Sequence, residues 1–271
     1  MLFEIENLSK SYGALKVLKE VSISVDAGQS VGLVGESGSG KSTFINCALK
    51  LARPNTGLVT YDGMDVLAVR GEELMRFRRE VQLVFQDPFA SLNPRMSVEE
   101  LVAEGLIVHR QERSSTKRRA RVVEMLEMVG LDPAAMGRYP RDFSGGQRQR
   151  IAIARALAIG PRILVCDEPV SALDVSVQAQ IINLLQDMQK QLGLGILFVA
   201  HDLAVVRHLC SEIVVLNQGE IVERGDRETV FDNPQHDYTR ALLDAVPVPD
   251  PSVARARREQ RGTNKLEEAG T

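Results

Sequence analysis

Residues 35–42 combine glycine, lysine and hydroxyl side chains at a spacing suited to holding a chain of phosphates. They fit the pattern G-x-x-x-x-G-K-[ST] at its fixed positions, Gly35, Gly40, Lys41 and Ser42. Glycines let the backbone approach phosphate oxygens, and the N–H groups of a loop and helix start point at the anion. Lys41 would reach the β- and γ-phosphates, and the Ser42 hydroxyl would be a ligand of Mg²⁺. The segment therefore predicts a nucleoside triphosphate site formed by Gly35, Glu36, Ser37, Gly38, Ser39, Gly40, Lys41, Ser42 and Thr43.

The elements on either side of this loop support the prediction. Residues 30–34 are apolar and predict a buried strand, and residues 43–49 predict the opening of a helix. A strand, a glycine-rich loop and a helix in this order place the helix N-terminus, with its free N–H groups, at the phosphates.

Two further segments carry chemistry. Asp167 and Glu168 end the apolar run at residues 163–166, and a carboxylate at the end of a buried strand can hold the Mg²⁺ shell while the next acts on water. Ser144, Gly145, Gly146 and Gln147 lead into an apolar-periodic helix at residues 151–158. The start of that helix predicts a second anion site.

The order of these motifs resembles the ATP-binding cassette (ABC) family. Phosphate loop, Ser-Gly-Gly-Gln segment, Asp-Glu pair and His201 follow one another as they do there, and the similarity covers residues 2–247. The resemblance implies an α/β fold: a P-loop NTPase core with a mixed sheet flanked by helices, an antiparallel β subdomain and an inserted helical subdomain. It also implies ATP and Mg²⁺ as cofactors.

The resemblance assigns roles to individual residues. Glu168 would be the general base for the attacking water, and His201 would hold the γ-phosphate and that water. Gln86 follows a predicted strand at residues 81–85 and would contact Mg²⁺ or water, while Asp167 would complete the Mg²⁺ ligands with Ser42. Tyr12 would stack on adenine, although a surface tyrosine in a loop needs no such explanation.

The resemblance further implies that two cassettes pack head to tail. Phosphates held by residues 35–42 would not be reached by Ser144 of the same subunit in that arrangement. Ser144, Gly145, Gly146 and Gln147 would instead close on nucleotide bound by the partner, with Asp174 in a loop at the interface. ATP would join the two subunits, and hydrolysis would release them.

Composition limits the remaining possibilities. The 271 residues are 44% hydrophobic, carry a net charge of −3 and include three cysteines without C-x-x-C spacing. We expect one globular domain, buried thiols in a reducing compartment and no general attraction to nucleic acid. No uncharged apolar run reaches the ~18 residues of a membrane span, and the acidic N-terminus does not resemble a signal peptide. A basic run, Lys117, Arg118, Arg119 and Arg121, is interpreted as a solvated helix face rather than a nucleic-acid site.

The predicted organisation is one ABC nucleotide-binding domain at residues 1–230, with the helical subdomain at about 87–147. Short strands are predicted at residues 2–8, 20–25 and 57–61, helices at 97–108, 115–129 and 175–192, and a hairpin around Gln218 and Gly219. A C-terminal element follows at residues 231–250, and residues 251–271 are predicted to be a disordered tail.

Two segments outside the ATP motifs are similar to dipeptide and oligopeptide importer ATPases. They are residues 85–95 and residues 233–243, where Asp237 stands in place of that subfamily's proline. The resemblance implies import of short peptides, with two integral membrane permease subunits, a second ABC ATPase (a heterodimer being favoured over a homodimer) and indirectly an extracytoplasmic solute-binding protein. The expected location is the cytoplasmic face of the membrane. Import of nickel or another small solute, and an ABC ATPase of a soluble complex working on nucleic acid or with other enzymes, remain alternatives.

Overall fold

The computed structural model describes residues 1–245, in which strands form two separate sheets. The first is antiparallel and contains β1 (Phe3–Tyr12), β2 (Leu15–Val25), β4 (Thr56–Tyr61) and β5 (Met64–Asp65), in the order β2-β1-β4-β5. An edge-to-face cluster of Phe3, Tyr61 and Phe77 packs beneath it.

The second sheet positions the chemistry. Its members are β3 (Ser30–Val34), β6 (Val81–Val84), β7 (Ile163–Asp167), β8 (Gly195–Ala200), β9 (Glu212–Asn217) and β10 (Glu220–Asp226), in the order β10-β9-β3-β8-β7-β6. β3, β6, β7, β8 and β9 run parallel, and β10 pairs antiparallel with β9. The carboxyl ends of the parallel strands therefore meet at one edge of the sheet.

Helices surround this sheet and form the insert between residues 87 and 147. They are α1 (Lys41–Ala48), α2 (Gly71–Glu80), α3 (Pro88–Ser91), α4 (Val98–Val108), α5 (Ser115–Met128), α6 (Gly145–Ala158), α7 (Val175–Leu192), α8 (Leu203–Leu209), α9 (Arg227–Asp232) and α10 (Asp237–Ala245), with two 3₁₀ turns at Pro133–Gly137 and Pro140–Asp142. Every helix within residues 1–245 is too short or too polar to cross a lipid bilayer.

Burial on both faces explains why the parallel strands are continuous apolar runs. In β8, Ile196 and Phe198 lie in one hydrophobic core, whereas Leu197 and Val199 lie in the other. Successive side chains of a strand point to opposite faces, so a strand covered on both sides needs apolar residues at every position.

Side-chain caps set the helix boundaries at the functional segments. Ser144 caps α6 in a capping box with Gln147, and Asp174 caps α7 by accepting a hydrogen bond from the Val177 N–H at 2.9 Å. Gly193 ends α7 in the left-handed conformation, with φ 65°.

The predicted mixed sheet, antiparallel sheet and helical insert are confirmed, as is the hairpin, whose turn residues Gln218 and Gly219 both have positive φ. β2 is longer than predicted because Glu20, at φ 56°, interrupts the register with β1 without ending the strand. Tyr12 ends β1 and does not lie in a loop. α2 was not predicted. The domain boundaries stay a prediction, and the tail at residues 251–271 lies outside the described residues.

The basic run lies on α5, where three of its members contact the protein itself, Arg119 through an ion pair with Glu99 at 3.9 Å. Arg118 donates to the carbonyl groups of Glu112 and Arg113, and the Arg121 Nε donates to the Ala158 carbonyl at 3.0 Å. Arg121 thus satisfies a carbonyl at the end of α6, a group without a partner inside its own helix. These contacts favour the structural interpretation of the run.

Candidate functional site

The phosphate loop connects β3 to α1 and closely approaches the neighbouring strand. A Cβ atom at Gly35 would lie 2.2 Å from the Leu216 carbonyl oxygen, and Gly40 has φ 112°. Neither position accepts a larger residue without moving the backbone. The loop is therefore held in one shape by packing as well as by its own turns.

Lys41 is almost fully buried, with 5% of its side chain exposed. Its ammonium group donates to the Gly35 carbonyl at 2.7 Å and the Glu36 carbonyl at 3.0 Å, and lies 3.6 Å from the Glu168 carboxylate. A buried cation needs such partners. The contacts hold the positive charge at the mouth of the loop, where it can attract an anion.

Glu168 is the residue on which the polar side chains converge. Its Oε2 accepts a hydrogen bond from Gln86 Nε2 at 3.1 Å and lies 3.2 Å from His201 Nδ1. The three side chains come from the ends of β6, β7 and β8, which are neighbouring strands. The sheet order therefore brings together residues that are far apart in the sequence.

The backbone of Glu168 is strained. Its φ is 44°, in the left-handed region that non-glycine residues rarely adopt, and its N–H donates to the Val199 carbonyl at 3.0 Å. Such strain persists only where the surroundings enforce it, and it is concentrated at functional sites. Here it accompanies the turn of the chain out of β7.

Asp167 lies beside this group and is incompletely satisfied. Its Oδ1 atom is buried without a hydrogen-bond partner within the described residues. Burial, followed by the charge of Glu168, raises the pKa of Asp167 to about 6, while Lys41 opposes that shift. An orphaned carboxylate oxygen of this kind fits a cation ligand, as predicted for Mg²⁺.

Lys41, Gln86, Glu168 and His201 line a cleft of about 320 Å³. Its walls are formed by Val17, Ser37, Gly38, Gly40, Lys41, Ser42, Thr43, Gln86, Glu168 and His201. A larger cleft of about 650 Å³, around residues 50–57, contains none of the predicted site residues. The cleft next to β3, β7 and β8 thus brings basic, acidic and hydroxyl groups together.

Several predicted residues are not among the cleft walls, including Gly35, Glu36, Ser39 and Asp167. Ser144, Gly145, Gly146 and Gln147 begin α6 against α7, where a Cβ atom at Gly146 would lie 2.4 Å from Val177 Cγ1. Asp174 is the N-cap of α7, three residues before Val177. Tyr12 is exposed, with the Lys10 ammonium 4.8 Å from its ring centroid. The predicted roles of all these residues stay predictions.

Sequence reasoning missed two residues at the loop. Val17 lines the cleft from β2, and the hydroxyl of Tyr238 on α10 accepts a hydrogen bond from the Glu36 N–H at 3.0 Å. An isolated valine in a strand carries no functional signal. Tyr238 follows Glu36 by 202 residues, so no local sequence pattern connects it to the loop.

The cleft and the sheet order together define a nucleotide-binding ATPase of the P-loop type. The sequence profile of the ABC transporter family matches residues 18–171, and the profile of the oligopeptide/dipeptide transporter C-terminal region matches residues 222–270. The chain belongs to the ABC transporter family and is an ATP-hydrolysing cassette of that family.

Named relatives agree with this family. A provisionally named peptide import ATP-binding protein of Brucella ovis is 48% identical over 269 residues, covering 96% of this chain and 83% of the relative. The oligopeptide transport ATP-binding protein OppF of Bacillus subtilis is 44% identical over 265 residues, covering 96% of this chain and 87% of the relative. A dimeric ATP-binding cassette bound to ADP and Pi has a TM-score of 0.75 at 34% identity, covering 83% of this chain and 98% of that one. The predicted family and fold are thereby confirmed.

The raised pKa of Asp167 predicts that the free energy of unfolding depends on pH through this carboxyl group. Because its folded pKa is about 6, above the ordinary value, the carboxyl stabilises the fold fully below its unfolded pKa, and this contribution is lost as pH rises through about 6. Asp167→Asn should therefore have a free energy of unfolding about 1 kcal/mol higher than that of the wild type at ~pH 7.5, after allowance for solvent screening. At ~pH 4.5 the two values should differ little. Calorimetric unfolding of the nucleotide-free protein in EDTA measures this difference.

The matched control is Asp187→Asn on α7, since Asp187 is exposed. It should leave the pH profile of the wild type unchanged. If Asp167→Asn raised the free energy of unfolding equally at both pH values, the effect would not come from the buried charge of Asp167, and the assignment would be contradicted.

Proposed function

We propose that the chain is the ATP-hydrolysing subunit that powers import of short peptides through separate membrane permease subunits. The observation that carries the proposal is the match of residues 222–270 to the oligopeptide/dipeptide transporter C-terminal region. The described part of that match, residues 222–245, forms no wall of the nucleotide cleft, so the match sets this chain apart from cassettes in general and bears on the transported solute. The peptide-import names of the relatives in Brucella and Bacillus support the same assignment.

In the proposed mechanism, residues 35–43 bind the phosphates of ATP through loop N–H groups and the Lys41 ammonium. Ser42, Gln86 and Asp167 would hold Mg²⁺, which when bound neutralises phosphate charge. Glu168 accepts the proton of the attacking water, and His201, 3.2 Å from its carboxylate, fixes the carboxylate and contacts the γ-phosphate. Tyr12 stacks on the adenine.

The proposed catalytic unit is a head-to-tail pair of cassettes. The N-terminus of α6 presents the backbone N–H groups of Gly145 and Gly146, whereas the Ser144 N–H donates to Gln147 Oε1 at 3.0 Å. None of these residues lines the cleft of its own chain. A second ABC ATPase would supply this helix start to the nucleotide, with Asp174 and Gln147 beside it. We favour a different protein as the partner over a second copy of this chain.

Contact with the permeases is proposed at two exposed aromatic side chains next to Gln86. Phe85 and Phe89 are 45% and 63% exposed, and the Arg148 guanidinium lies 3.8 Å from the Phe89 ring centroid. Arg148 belongs to α6, and Gln86 donates to Glu168. A permease segment that covers these rings would therefore be linked to Glu168 through Gln86 and to the helix that completes the partner's site through Arg148. Solute would reach the permeases from an extracytoplasmic binding protein.

Import of nickel or another small solute would use the same ATP chemistry, and so would a cassette acting in a soluble complex. The nucleotide cleft does not distinguish among these functions, since the proposed roles of its residues concern only ATP. The solute has to be identified by measuring uptake of labelled candidates.

Replacing Glu168 with glutamine tests the proposed base. The amide keeps the shape of the side chain but cannot accept the water proton, so Glu168→Gln should lower ATP turnover by about 100-fold or more. Binding of ATP, measured by calorimetry, should remain close to that of the wild type. Glu220→Gln, an exposed carboxylate paired with Lys19, is the matched control and should retain turnover. Turnover by Glu168→Gln near the wild-type rate would rule out Glu168 as the base.

Uptake of labelled peptides tests the proposed solute class. Cells lacking this gene should fail to accumulate di- and oligopeptides, and a plasmid copy carrying the wild-type gene, but not Glu168→Gln, should restore accumulation. Labelled nickel and a labelled sugar are measured in parallel. Normal peptide accumulation together with a defect in nickel or sugar uptake would overturn the peptide assignment and leave the ATPase intact.

A further inference from the structure

The C-terminal segment contacts the phosphate loop from outside at two points. The Tyr238 hydroxyl accepts a hydrogen bond from the Glu36 N–H at 3.0 Å, and the Gly219 N–H donates to the Ser39 carbonyl at 2.9 Å. Gly219 belongs to the turn between β9 and β10, and Tyr238 belongs to α10. The loop is thus supported by residues that follow all of the predicted ATP motifs in sequence.

The contact with Tyr238 falls on a peptide group that also holds Lys41. The Gly35 carbonyl and the Glu36 N–H belong to the same peptide unit; Lys41 Nζ donates to the carbonyl at 2.7 Å, and Tyr238 accepts from the N–H at 3.0 Å. Hydrogen bonds at the two ends of one peptide group polarise it and strengthen each other. The position of the Lys41 ammonium therefore depends on the orientation that Tyr238 helps to maintain.

The start of α10 is anchored to β10. The Glu223 carboxylate accepts hydrogen bonds from the backbone N–H groups of Gln235 at 2.8 Å and His236 at 3.0 Å. His236 Nδ1 in turn accepts from the Tyr238 N–H at 3.1 Å. The backbone that carries Tyr238 is thereby fixed to the same sheet whose strand β3 carries the loop.

Asp237 preserves this helix start despite replacing the proline of similar importers. It is the first residue of α10, where a carboxylate interacts favourably with the helix dipole, and it forms an ion pair with Arg240 one turn later. Proline is also favoured at the first position of a helix. Aspartate and proline thus both favour a helix start at position 237, and Tyr238 remains the second residue of α10.

We propose that Tyr238 is a positioning residue for ATP binding, which couples the C-terminal element to the occupancy of the nucleotide site. Its hydroxyl holds the Gly35–Glu36 peptide group in the orientation that places Lys41, so that part of the loop is ordered before ATP arrives. The inference rests on the proposed assignment of residues 35–43 to ATP. Since coupling free energies are reciprocal, ATP also stabilises the docked position of α10.

Tyr238→Phe deletes the hydroxyl and keeps the ring. Losing one hydrogen bond that preorganises the loop should weaken ATP binding about three- to tenfold, measured by calorimetry. In steady-state assays KM should rise by a similar factor while kcat changes little, because Tyr238 contacts neither the reacting atoms nor Glu168. Tyr61→Phe is the matched control, since it deletes a hydroxyl that donates to Glu80 at 2.8 Å in the antiparallel sheet. It should leave ATP affinity unchanged.

Two further measurements make the outcome decisive. Lys41→Ala should lose ATP affinity almost completely; wild-type affinity in this variant would refute the assignment of the phosphate loop itself and not the role of Tyr238.

In the wild-type protein, saturating ATP should slow amide hydrogen exchange in residues 237–245, a result that needs no variant to fold. Unchanged ATP affinity in Tyr238→Phe, or unchanged exchange in those residues, would overturn the proposal.

Discussion

The structure depends on gathering opposite charges at the carboxyl edge of a sheet that is buried on both faces. Lys41, Asp167 and Glu168 lie where a cation and two carboxylates are costly to bury, and their mutual contacts only partly offset that cost. The parallel strands can bring these groups together because their side chains fill two hydrophobic cores and leave the strand ends free. In the proposed function, a triphosphate and its cation would provide the missing partners.

The same constraint explains the unusual backbone of the site. Gly35 has no room for a side chain against β9, and Glu168 is held at φ 44° by its neighbours. Each feature has a cost in stability and fixes a polar group in the cleft. The loop is also held by the turn between β9 and β10 and by α10, since Gly219 and Tyr238 form hydrogen bonds with its backbone.

Sequence patterns predicted those parts of the site that depend on local order. A strand, a glycine-rich loop and a lysine occur within a dozen residues, and Asp167 and Glu168 directly follow an apolar run. The contacts among Gln86, Glu168 and His201 depend on the strand order, which residue patterns alone do not show. Tyr238 was missed because a hydroxyl-to-backbone bond across 202 residues leaves no periodic signal. The extra length of β2 was missed because Glu20 looks like a strand start and is an irregularity within the strand.

The central claim is that the cleft is one half of a site that Ser144 of a second cassette completes. Two copies of this chain allow the test even though a different protein is the favoured partner, because each copy carries both halves of the site. Ser144→Arg and Lys41→Ala impair different halves. Where the chain pairs with itself, a mixed dimer of the two variants, isolated through two different tags, therefore retains one site with an intact loop and an intact helix start. The most direct measurement is ATP turnover by this mixed dimer against each variant paired with itself. The account predicts recovery to about half of the wild-type rate from two inactive parents, as expected if the intact site acts independently. A mixed dimer as inactive as its parents would contradict it.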